Sequence, residues 1–122
     1  MNALLVLAHG SPRPTANTDF MRVLEVVRER RVFEFVQEGY LECNAPDIPT
    51  AIDLCAAQGA TRILVVPYFL HTGTHVADDL PTLLEEGSLR HPHIEFRLGD
   101  FLGRSESLTE ILEDKLKASL SL

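Results

Sequence analysis

The chain predicts a doubly wound α/β sandwich, a four-stranded parallel sheet with helices on both faces. Three observations lead there. Short apolar runs alternate with amphipathic stretches in the order β-α-β-α-β-α-β-α. Strands separated by helices cannot close as hairpins, so they pair in parallel through right-handed crossovers. The first and third strands are continuous apolar runs, as expected of strands covered on both faces, and this places them at the centre of the sheet. A length of 122 residues is that of one domain, so residues 1–122 read as a single unit.

Each element has its own signal. Ala3–Ala8 reads as a buried strand closed by His9-Gly10-Ser11-Pro12. From Thr18 to Arg31, Phe20, Val23, Leu24 and Val27 recur at helical spacing. Val32–Val36 is β-branched and aromatic, a second strand. Pro46 and Pro49 both suit the first turn of a helix, where a missing N–H costs nothing; Ile48, Ile52 and Cys55 continue one face and Gly59 suits its end. Arg62–Phe69 contains Ile-Leu-Val-Val, a third strand. Thr74–Glu86 is helical, with Thr74 as its cap and Pro81 expected to break or restart it. Ile94–Leu98 is a fourth, weaker strand. Ser107 and Glu110 form a capping box for a last helix that carries Leu108, Ile111, Leu112 and Leu116 on one face.

Composition narrows the function. Hydrophobic residues at 45% and charged residues at 24% exclude disorder and collagen-like repeats. A net charge of −7 argues against nucleic-acid binding, which needs a basic surface, but does not oppose a metal cation. The six-residue run Ala3–Ala8 is too short to span a bilayer and has no basic leader, so neither membrane nor secretion is expected. Cys43 and Cys55 are too few for a disulfide framework and suit a reducing cytoplasm.

In open parallel sheets, ligands bind beyond the carboxyl ends of the strands. The loops there hold His9-Gly10-Ser11, then Gly39 to Asn44, then His71 to His75, then Gly99 to Gly103. Two imidazoles and a carboxylate from such loops suffice to hold a transition metal with positions left open. Each residue also has a plainer use. His9 alone would serve equally as a loop hydrogen-bonder, Glu42 as a solvated acid or helix cap, and Asp78 and Asp79 as acids favoured at a helix start. His75 meets the positive end of a helix dipole, which favours its neutral form in either use. His71 and His75 are four apart, but Gly73 between them implies that the helix begins after His71, which weakens an i, i+4 metal site. Cys43 is a possible soft ligand; His91 and His93 flank Pro92 in a polar connection and read as surface residues. A phosphate-loop motif, a dinucleotide fingerprint and a nucleophile elbow are all missing.

Leu7-Ala8-His9-Gly10-Ser11, Gly39-Tyr40-Leu41-Glu42 and the stretch from Val66 to Pro81 together resemble the small class II chelatases of the CbiX/SirB type, over essentially the whole chain. The resemblance implies a chelatase-like three-layer sandwich. It implies insertion of Co²⁺, Fe²⁺ or sometimes Ni²⁺ into sirohydrochlorin, in cobalamin or sirohaem biosynthesis. The metal is then a substrate, with no permanent cofactor, and short members pair as homodimers. By position, His9 and His75 match the family's metal-binding histidines and Glu42 the acid beside them, the three forming the catalytic set; Glu42 and His71 are second-tier metal ligands. Gly10, Ser11, Arg13, Tyr40, Gly73 and Thr74 are the expected tetrapyrrole contacts, with Arg104 a further partner for substrate carboxylates. Pro12 stands where many relatives place an Arg, and Arg13 follows one residue later. The same ligands would also serve a non-catalytic carrier of metal or tetrapyrrole. A flavodoxin-like phosphate site at Gly10-Ser11 leaves His75 and Glu42 unexplained.

Overall fold

The computed structural model describes residues 1–71 and 73–120, apart from the side chains of Thr74 and His75. The described residues form β1 (Asn2–Ala8), α1 (Thr18–Glu29), β2 (Phe35–Tyr40), α2 (Ile48–Ala57), β3 (Arg62–Pro67), α3 (Thr74–Arg90), β4 (Glu95–Leu98), a 3₁₀ turn (Leu102–Arg104) and α4 (Ser107–Leu120). The strands pair in parallel in the order β2-β1-β3-β4, so β1 and β3 are central as their apolar runs predict. None of the described helices is long and apolar enough to cross a membrane.

Period-two alternation divides the core between the two sheet faces. Leu5, Leu7, Ile63 and Val65 meet Ile48, Ile52, Cys55, Leu80 and Leu84 of α2 and α3. Leu4, Val6 and Val36 meet Phe20 and Leu24 of α1. The Cys55 thiol, sealed within the first layer, is pushed by burial up to about 12 and stays protonated at neutral pH.

The second strand lies later than the β-branched run predicts, at Phe35–Tyr40 rather than Val32–Val36. Val32 is exposed, and the strand instead recruits Gln37, Glu38 and Gly39. Their polarity is satisfied locally. The Gln37 amide donates to the Glu38 carbonyl at 2.9 Å, and Arg28 donates to the Val36 carbonyl and to the Glu38 carboxylate. Gly39 leaves room for Ala51 and Leu7, each only 3.1 Å from where a Cβ would stand. Pairing with β1 therefore outweighs strand propensity.

The helices also correct three expectations. Pro46 precedes α2, whose cap is Asp47, and only Pro49 lies in the first turn. The Asp47 carboxylate accepts the Thr50 N–H at 2.9 Å, which lowers its pKa. Pro81 does not break α3, which runs unbroken to Arg90. Buried Leu80 and Leu84 anchor the helix on both sides of Pro81, offsetting the lost hydrogen bond, and the Thr82 hydroxyl donates to the Asp78 carbonyl at 3.3 Å. At α4 the Ser107–Glu110 capping box is replaced by Ser105, whose hydroxyl accepts the Ser107 N–H at 3.3 Å.

Leu5 is fully buried on the central strand. Leu5→Ala is expected to lower unfolding free energy by about 2–5 kcal/mol; an unshifted urea midpoint would place the core elsewhere.

Candidate functional site

Parallel pairing does not stop where the strands end. Beyond Ala8, the Leu41 N–H donates to the Ala8 carbonyl and the Glu42 N–H to the His9 carbonyl, both at 3.0 Å. On the other side, the Tyr68 N–H donates to the Leu7 carbonyl at 2.7 Å. His9 is therefore held in register between Glu42 and Phe69 at the carboxyl edge of the sheet. Strands about 4.8 Å apart bring the three within reach of one small ligand.

The His9 ring is exposed on one side and stacked on the other. Its centroid lies 4.2 Å from that of Phe69, with 30° between the planes. Phe69 is 3% exposed, so it is a rigid floor beneath the imidazole. The backbone around His9 is locked as well. Gly10 adopts φ +88°, and a Cβ there would strike the Glu42 carbonyl oxygen. The Ser11 N–H donates to the Asn44 side-chain oxygen at 2.7 Å. Two loops from adjacent strands thus behave as one unit. Phe69 and Asn44 are the residues that sequence reasoning passed over, since neither titrates; the only signal was their position beside His9 and Glu42 at strand ends.

Glu42 presents an exposed carboxylate, next to exposed Cys43 in a left-handed conformation at φ 66°. His71 is exposed on the connection from β3 to α3. Gly73, not Thr74, is the N-cap of α3, and its carbonyl accepts the Ala77 N–H at 3.1 Å. His75 follows in the first turn of α3, which opens at the same carboxyl edge because α3 leaves β3 there. The side chains of Thr74 and His75, and Thr72, lie outside the described residues. Among the described residues, no group of three or more His, Cys, Asp or Glu side chains is suited to hold a metal.

Of the expected tetrapyrrole contacts, Gly10 and Ser11 line the loop just described, and Arg13 is exposed with its N–H on the Ser11 hydroxyl at 3.2 Å. Tyr40 is corrected. Its ring is 4% exposed, packs edge-on to Phe20, and places its hydroxyl 3.9 Å from the Met21 sulfur. Burial and the charge of Glu38 raise its pKa. It belongs to the α1 core, because β2 extends to Tyr40 instead of ending before it. Arg104 lies over the Phe101 ring at 5.2 Å, and with Pro67, Gly99 and Asp100 lines an open hollow of ≈ 200 Å³ at the same edge. His91 is remote, since it precedes β4 at the amino edge, where its Nε2 lies 2.8 Å from Asp53.

The CbiX family model matches residues 3–119. The chain is 42% identical over 84 residues to the sirohydrochlorin cobaltochelatase of Methanocaldococcus jannaschii, covering 69% of this chain and 59% of that one. It is 34% identical over 118 residues to the sirohydrochlorin cobaltochelatase of Saccharolobus solfataricus, covering 92% and 91%. Its fold matches the sirohydrochlorin chelatase SirB of Bacillus subtilis subspecies spizizenii in complex with cobalt, at TM-score 0.87 and 29% identity, covering 96% of this chain and 50% of that one. Against five of the curated relatives the chain spans only 38% to 59% of their length.

Gly10→Ala is expected to cost more than about 1 kcal/mol, because the left-handed backbone and the Glu42 carbonyl both oppose a Cβ. The Glu42 amide should shift in ¹H–¹⁵N spectra; unchanged spectra and stability would mean that the two loops move independently.

Proposed function

From its membership of the CbiX family, to which the chain belongs, we propose that it inserts a divalent metal, Co²⁺, Fe²⁺ or Ni²⁺, into sirohydrochlorin. One observation supports this above the others: the imidazole of His9 is fixed by Phe69 from below, open above, and tied through the backbone to the carboxylate loop of Glu42. A residue needed only for folding would have no reason to combine a rigid mount with an exposed ring.

Insertion needs a partly dehydrated metal, a ring with its lone pairs turned towards that metal, and the departure of two pyrrole protons. His9 and His75 supply neutral nitrogen donors, which suit all three metals. Glu42 takes the pyrrole protons one at a time. Its exposure lets each pass to water before the next arrives. The Ser11 hydroxyl and backbone N–H groups at the start of α3, with Arg13 and Arg104, receive the carboxylates of the macrocycle. His71 is a further ligand on the rim. An open sheet edge covers one side of a flat substrate, so a second copy of the chain closes the other, as a homodimer.

The reading is tested by following insertion into sirohydrochlorin by absorbance, with Co²⁺, Fe²⁺ and Ni²⁺ in parallel. We expect turnover with at least one metal. Tight binding without turnover would point to a carrier instead. His9→Ala and His75→Ala should each abolish insertion while circular dichroism stays unchanged; normal turnover in either variant would remove that residue from the site. Glu42→Gln should bind metal and macrocycle but insert about 10²-fold more slowly, and an unchanged rate would send the protons elsewhere.

A further inference from the structure

Asn44 clasps the two loops of the site together, and only half of its side chain is used for that. Its Oδ1 accepts the Ser11 N–H at 2.7 Å. A backbone N–H can only donate, so the oxygen of this amide is fixed on the Ser11 side and the nitrogen on the other. The Asn44 backbone is fixed as well, since its N–H donates to the Glu42 carbonyl at 2.8 Å. A Cβ on Gly10 would strike that same carbonyl and would lie 3.1 Å from Asn44 Oδ1. The half-buried side chain therefore stands between the His9 loop and the Glu42 loop. Among the described residues, Asn44 Nδ2 donates to nothing, and no buried side-chain nitrogen or oxygen lacks a partner. The two N–H groups of this amide are thus open to solvent beside the site.

We propose that this amide binds substrate: Asn44 Nδ2 donates to a carboxylate of the tetrapyrrole and so orients the ring at His9 and Glu42. The donor at this place has to be neutral. Glu42 is two residues back along the loop, and its carboxylate is exposed. A lysine or arginine beside it would form an ion pair and compete with the pyrrole protons that Glu42 receives. An amide offers two N–H donors, carries no charge and leaves that carboxylate unpaired. The whole chain carries a net charge of −7, so a substrate carboxylate is held here by donors in contact rather than by attraction at a distance. Asn44 is also ordered in advance. One end of the amide is already tied to Ser11, so little freedom is lost when the other end binds. The Ser11 N–H, by contrast, is spent on Asn44.

The proposal rests on the sirohydrochlorin reading of the preceding section, and its test separates the two. Metal-free sirohydrochlorin is titrated into the ¹⁵N-labelled whole chain. The side-chain NH₂ signals of Asn44, assigned by their loss in Asn44→Asp, should shift and saturate together with the absorbance change of the bound ring. In steady state, Asn44→Asp should raise KM for sirohydrochlorin about 10-fold or more, as expected when a hydrogen bond to a charged group is lost. Its thermal midpoint should be no lower than that of the wild type, because an aspartate still accepts the Ser11 N–H. Asn44→Ala, which loses the clasp as well, should raise KM and lower the midpoint. The KM defect of Asn44→Asp should persist in about 0.5 M KCl, where repulsion between separated charges is screened. Unmoved Asn44 signals in a saturated complex, an unchanged KM in Asn44→Asp, or full recovery in salt would each overturn this assignment alone and leave Asn44 as a clasp. A wild-type chain that neither binds nor metallates sirohydrochlorin would overturn the chelatase reading, and this assignment with it.

Discussion

The structure depends on one continuity: the hydrogen-bond ladder of the central strand outlasts the strand. Inside the sheet, Val6, Leu7 and Ala8 are paired on both sides or one side by register, and their side chains are sealed by helices. One residue further, the ladder persists through the Ala8 and His9 carbonyls, but the helices no longer cover the side chain. His9 is therefore as well fixed as a core residue and as accessible as a surface one. That combination is what a metal donor needs, because a ligand that must first be ordered loses binding energy to the ordering.

The neighbours of His9 extend the same logic. Phe69 is the next residue of its face after Val65 and Pro67, so the core of the α2–α3 layer ends in an aromatic ring under the imidazole. Gly10 and Asn44 fasten the two loops where the ladder ends, one by yielding space to a carbonyl and the other by filling a vacant N–H. None of these three residues carries a titratable side chain. Each removes a freedom that the reacting groups would otherwise have to lose on binding.

The parts legible in the sequence are those written in periodicity. Apolar runs identified the central strands, and their loops pointed to His9, Glu42 and the stretch before α3. What escaped was set by partners distant along the chain. Gln37 and Glu38 read as loop until Arg28 and β1 satisfy them, so periodicity places β2 too early and Tyr40 in the loop beyond it, among the expected tetrapyrrole contacts. Pro81 reads as a break until Leu80 and Leu84 are seen to hold the helix down. Phe69 carries no signal at all without the strand order that sets it beside His9.

The last helix shows the opposite failure. Its amphipathic pattern is correct, and α4 forms over that span, yet among the described residues none on the face that periodicity marks for burial is buried. Periodicity reports that a face is to be covered, not by which molecule. The sheet asks the same question from the other side, since Leu64 and Val66 are as apolar as Ile63 and Val65 and far less covered. The carboxyl edge and the approach to α4 share a residue, since Phe69 both accepts the Gly103 N–H and supports His9.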